Sequence, residues 1–169
     1  MCQRQSKNKK KQRKQMKTLK QYITEQEIVK VDNKSTKEDQ INGFCILKPE
    51  FLDHEDDFKN ILTNNGWRII QQVRRTLSHK EAEELYKMHK QKKFYKDLCD
   101  YMSSNDSISC MCYKDCDNPI KDMKTIKDMV RKAWGIDDMR NGMHSSDSLE
   151  NVKREYKLIF ENKYDTINK

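Results

Sequence analysis

The chain has 169 residues, of which 34% are hydrophobic and 37% charged, and a net charge of +8. That length allows one domain with an economical core plus an appendage. Residues 1 to 20 carry nine Lys/Arg and no Asp or Glu, leaving about −1 for the rest, so the basicity belongs to a tail and not to a DNA-binding surface on the fold.

No apolar run approaches the ~20 residues that span a bilayer, and the first 20 residues lack the apolar stretch of a secretory signal. The expected location is intracellular, cytoplasmic or nuclear, with the six cysteines reduced. Residues 1–41 read as a basic, largely disordered extension, 42–162 as the domain and 163–169 as a C-terminal tail. For Lys7 to Lys14, contact with nucleic acid or an acidic partner, a nuclear-localisation signal, and a merely solvated tail all fit. Ile23, Ile28, Val29 and Val31 suggest a short turn or strand against the body.

In the body, Gly43 to Lys48 is an apolar run closed by Pro49, as in a central strand buried on both faces. Asp53 to Asn64 predicts a helix with Phe58, Ile61 and Leu62 inward and Gly66 just beyond it. Trp67, Ile69 and Val73 mark a second strand. Ser78 and Glu81 form a capping box for a helix reaching Lys90, and another helix begins near Phe94. Ser107 to Tyr113 alternates as a third strand, with Ile108, Cys110 and Cys112 on one face. Ile120 to Ala133 predicts a long amphipathic helix ending at Gly135. A short strand leads into His144, and Asp147 and Glu150 suggest the cap of a last helix striped by Leu149, Val152, Tyr156, Ile159 and Phe160. The connections are too short for a fully parallel sheet. The order predicts an α+β fold, a ferredoxin-like antiparallel sheet with helices packed on it.

Cys110-x-Cys112-x₃-Cys116 with His144 is a weak zinc pattern, since strand alternation already makes Cys110 and Cys112 small core residues. His54, His79 and His89 fall on polar helical faces, where solvation accounts for them. Four glycines leave no room for a Walker-type phosphate loop.

The segment Arg140-Asn141-Gly142-Met143-His144-Ser145-Ser146-Asp147 carries more. It holds one histidine, a side chain that is neutral and nucleophilic near pH 7, among hydroxyls and a carboxylate. It resembles the histidine signature of nucleoside diphosphate kinases: Arg-Asn, two variable residues, His, a small residue, then Ser-Asp. Lys48-Pro49-Glu50 is similar to the family's Lys-Pro-Asp. The resemblance covers roughly residues 43 to 160 and implies the family's ferredoxin-like fold. It implies transfer of a terminal phosphate between nucleoside tri- and diphosphates through phosphohistidine, with Mg²⁺ held by the nucleotide and no metal site on the protein.

By the same resemblance His144 is the nucleophile, Glu155 its hydrogen-bonding carboxylate and Ser146 the support of that carboxylate. Lys48, Tyr86, Arg131 and Asn141 would meet phosphates and sugar, and Phe94 and Leu98 the base. Ser145 replaces the family's glycine, Lys92 a usual arginine, and Ser104-Asn105-Asp106 its Ser-Gly-Pro.

The family's loop that supplies a threonine and an arginine to the phosphates is cut to Ile136–Met139, leaving Arg131 as the one phosphate arginine. Matching Thr125-Ile126-Lys127 to the family's Thr-Ile-Arg instead would break the long helix and set a lysine where a forked arginine belongs. The shortened loop also removes a piece of the family's hexamer and tetramer contacts, so a dimer or monomer is expected. The alternative is a catalytically weak or inactive interaction module tethered by the basic tail.

Overall fold

The computed structural model describes residues 41–161, and the readings for the basic extension and the C-terminal tail lie outside them. Strand β1 (Gly43–Leu47) is buried along its whole length. Pro49 enters at the first position of a 3-10 turn, Pro49–His54, and α1 (Glu55–Asn64) follows it. The regular helix thus begins two residues later than its apolar pattern suggests. Then come β2 (Arg68–Thr76), α2 (His79–Leu85), a 3-10 turn Lys87–His89, α3 (Tyr95–Met102) and β3 (Asp106–Tyr113). The 16-residue α4 (Pro119–Trp134), β4 (Met143–Ser145), α5 (Leu149–Tyr156) and a π turn, Lys157–Glu161, complete the described chain.

The strands form an antiparallel sheet in the order β2-β3-β1-β4. This is the ferredoxin-like arrangement, with two β-α-β halves interleaved around central β1 and β3. Strand alternation then sorts the chain into two layers. Cys45, Leu47, Ile108, Cys110, Cys112 and Met143 face α1 and α4, against Phe58, Ile61, Leu62, Met123, Ile126 and Val130. Phe44 and Ile46 face the other way, against Ala82, Leu85, Leu98, Cys99, Met102 and Val152 of α2, α3 and α5.

Local chemistry fixes the element ends. Ser78 caps α2 with both halves of the capping box formed: its hydroxyl accepts from the Glu81 amide, and its own amide donates to Glu81. The helix stops at Leu85, short of Lys90, so Tyr86 is its C-cap and not part of its body. Phe94 likewise precedes α3 as its N-cap. The cap of α5 is Ser148, whose hydroxyl accepts from the Asn151 amide, and not Asp147 or Glu150. Leu149 is half exposed and does not join the apolar stripe of that helix. His54 is not simply solvated, because it stacks on Trp134 with centroids 4.6 Å apart.

Candidate active site

Alternation along β1 puts Lys48, one residue past the strand, on the face that carries Phe44 and Ile46. Alternation along β4 puts His144 on that face too, while Met143 enters the opposite core. Gly142 sets up β4: its φ of +93° suits glycine, and a Cβ there would meet Val130 at 2.8 Å. Its carbonyl accepts from the Lys48 amide at 3.0 Å, so the lysine and histidine segments are tied together.

Both open onto one cavity of about 750 Å³. Lys48, Tyr86, Phe94, Leu98, Arg131, Asn141, His144 and Glu155 all line it. Ser146 does not; it is buried behind Glu155.

The imidazole is held from one side. His144 Nε2 lies 2.9 Å from Glu155 Oε2, and the same oxygen accepts from Ser146 Oγ at 2.7 Å. Arg154 Nη2 donates to the other oxygen, Oε1, at 3.1 Å. A carboxylate so placed can only accept, so Nε2 carries the ring proton and the lone pair is left on Nδ1. Arg154 also donates to the Glu84 carbonyl at 2.8 Å, fastening α5 to the end of α2 beside Tyr86. Rings flank the histidine: Tyr86 meets it edge-on at 5.4 Å and Phe44 at 6.4 Å.

Positive charge converges on the cavity. Lys48 is buried and donates from Nζ to the Met139 carbonyl at 2.8 Å. Burial, reinforced by the Arg131 charge, lowers its ammonium to about 7. Burial also lowers the Arg131 guanidinium, whose Nε donates to the Met143 carbonyl at 3.3 Å. Among the described residues the buried Tyr86 hydroxyl has no hydrogen-bond partner, and burial raises its phenol well above the usual value. Asn141 donates to the Asp138 carbonyl at 2.6 Å, while its own buried Oδ1 has no partner among the described residues. Unpaired polar groups beside a cavity cost stability unless something arrives to meet them.

Phe94 and Leu98 play unequal parts in the wall. Phe94 is 46% exposed and Leu98 is buried. Sequence reasoning missed His89, Met88, Asp138, Asn151 and Arg154, and set Lys127 aside, yet all of them border the cavity. His89 sits between Tyr86 and Phe94, with centroids at 6.3 and 5.7 Å. A polar helical face carries no mark of the cavity it meets. The arginine next to Glu155 was the one signal to be had, since a buried carboxylate needs donors on both oxygens.

Cys110 and Cys112 lie in the opposite core, away from His144, and among the described residues no group of three His, Cys, Asp or Glu side chains could hold a metal. No helix among them is long and apolar enough to cross a membrane.

Comparison with known proteins identifies the family. The family model for nucleoside diphosphate kinase matches residues 42–164. Nucleoside diphosphate kinase homolog 5 of Homo sapiens is 26% identical over 127 residues, which cover 69% of this chain and 60% of that protein. Nucleoside diphosphate kinase of Geobacter sp. (strain M21) is 29% identical over 129 residues, covering 69% of this chain and 93% of that one. A crystal structure of Aquifex aeolicus nucleoside diphosphate kinase superposes with a TM-score of 0.62 at 22% identity, over 70% of this chain and 93% of that one, a likeness of fold. The chain spans about 60% of the length of the homolog 5 proteins that it matches.

Proposed function

Because the chain belongs to the nucleoside diphosphate kinase family, we propose that it transfers the terminal phosphate of a nucleoside triphosphate to a nucleoside diphosphate through a phosphohistidine at His144. The observation that carries this reading is the His144–Glu155–Ser146 array at the cavity wall, with Nε2 held and Nδ1 left to react.

Nδ1 attacks the terminal phosphorus; the N–P bond forms as the bond to the leaving diphosphate oxygen breaks. The ring gains positive charge while its Nε2–H stays in place. Glu155 stabilises that charge without taking the proton, as the aspartate of a Ser-His-Asp triad does. The diphosphate leaves, and the terminal phosphate oxygen of a second nucleoside diphosphate attacks the same phosphorus and frees the histidine. Lys48 and Arg131 oppose the negative charge spread over the phosphoryl oxygens. Asn141 serves the sugar or phosphates, and Phe94 offers a face on which any base stacks. Magnesium, which the family's chemistry implies, supplies charge neutralisation on the phosphate oxygens. The Asp138 and Asp147 carboxylates border the cavity that would receive it.

The test is a coupled assay of phosphate transfer from ATP to GDP. The parent should turn over and His144→Gln should not; equal rates in the two would sink the mechanism. A second reading, a catalytically weak or silent module, draws on the short connection 135–142 between α4 and β4, which leaves few groups to hold a phosphate. Under that reading millimolar Mg²⁺-ADP would fail to raise the melting temperature. For the 1–20 tail we propose contact with nucleic acid or another acidic partner; binding should weaken steeply with salt and vanish when residues 1–20 are deleted.

A further inference from the structure

Lys127 precedes Arg131 by one turn of α4, so both occupy one helix face, and both line the cavity with Lys48 and His144. Three half-buried or exposed lysines have carboxylate partners, Lys59 with Glu55, Lys114 with Asp122 at 2.8 Å, and Lys124 of the same helix with Asp128 at 2.7 Å. Lys127 has none within ion-pair reach among the described residues. The two acids that act on it from farther off, Asp128 and Asp147, are engaged elsewhere, with Lys124 and with the Asn151 amide. Its positive neighbours are close enough to matter. Burial first, then Arg131, holds its ammonium below the ordinary value, and Lys127 in turn helps depress Lys48.

Lys48, Lys127 and Arg131 thus border one cavity, partly desolvated and repelling one another, and none of the three is in a direct ion pair among the described residues, although Asp137, Asp138 and Asp147 also line the wall. Mutual repulsion within such a set costs the empty protein stability, and a polyanion entering the cavity replaces that repulsion with attraction. We propose that Lys127 is a phosphate-binding residue of this chain, completing with Lys48 and Arg131 a three-cation cradle for the phosphate chain of the nucleotide. This rests on the phosphotransferase reading above. A lysine in an unbroken helix reaches the cavity here without the loop that the chain lacks. Its compact charge on a flexible stem can follow the phosphoryl group as it moves.

The experiment is calorimetric titration of the full chain with Mg²⁺-ATP, inorganic tripolyphosphate and adenosine, for parent, Lys127→Met, Lys127→Arg and Lys124→Met, with labelling of His144 by γ-labelled ATP alongside. Lys127→Met should weaken ATP and tripolyphosphate by about 10- to 100-fold, as for loss of a charge-assisted hydrogen bond. It should leave adenosine affinity intact and the melting temperature of the free protein unchanged or higher. Lys127→Arg should recover most of the loss, and Lys124→Met should match the parent. If the parent binds ATP and labels but Lys127→Met binds ATP equally well, the role of Lys127 falls while the kinase reading stands. A melting temperature lowered together with adenosine affinity would make Lys127 a structural residue and overturn the proposal. A parent that binds neither ATP nor tripolyphosphate would overturn both.

Discussion

The two faces of the sheet are built to opposite rules. Toward α1 and α4 the core is dry: Phe58, Trp67, Ile108 and Cys110 are wholly buried among apolar neighbours. Toward α2, α3 and α5 the protein buries Ser107 and Ser109 of β3, Lys48 just past β1 and Glu155 of α5, and the packing opens into the cavity. Strand β3 shows the contrast within one segment, with Ile108, Cys110 and Cys112 on one side and Ser107 and Ser109 on the other. One face maximises stability. The other gives some of it up to hold charge and hydroxyls beside a nucleophile.

Substitutions on the two faces should therefore fail differently. Glu155→Gln should keep the fold while lowering phosphate transfer by roughly two to four decades, because a neutral amide cannot balance the ring charge. A transfer rate within threefold of the parent would break the contrast. Phe58→Ala on the dry face should cost about 3–5 kcal/mol in urea unfolding while the protein that remains folded keeps its transfer rate.

Lys48 should show the compromise in one residue. Its ammonium is near 10.5 in the unfolded chain and about 7 in the fold. Between these values the unfolded state binds more protons, so this residue makes stability rise with pH from about 7 to 10, and its cost is fullest below 7. The Arg131 and Lys127 charges press in that direction, and Glu50 and Asp137 oppose it. Lys48→Met should raise the melting temperature near pH 7 and flatten its climb with pH, yet lose phosphate affinity. Parallel melting profiles for parent and variant would contradict this. In the parent, nucleotide affinity should fall as pH rises through the same range, because the empty site loses its charge.

Smaller effects should divide along the cavity wall. Phe94→Ala should weaken nucleotide binding by about 1–3 kcal/mol with little change in melting, because the ring is half exposed. Leu98→Ala should do the reverse and cost about 2–5 kcal/mol of stability, because Leu98 belongs to the core.

The sequence made the dry face easy to read and the cavity harder. Apolar alternation in Ser107 to Tyr113 and the helical stripe from Ile120 to Ala133 marked their elements because packing alone determines them. His144 and Glu155 were visible through a fixed spacing of eleven, which one strand and one helix preserve. Arg154 and His89 were not, and Lys127 was raised only in an alternative match that was set aside, since each is a polar residue on a helix or turn whose meaning depends on what lies across the gap. Tyr86 fell to the wrong side of a helix end for a related reason: nothing between Leu85 and Lys90 signals the break.

The most direct test is to incubate the protein with γ-labelled ATP and Mg²⁺, parent beside His144→Ala, and then chase with unlabelled GDP. The account predicts an acid-labile label on the parent alone, released as GTP during the chase. No label on the parent, or an equal label on His144→Ala, would contradict it.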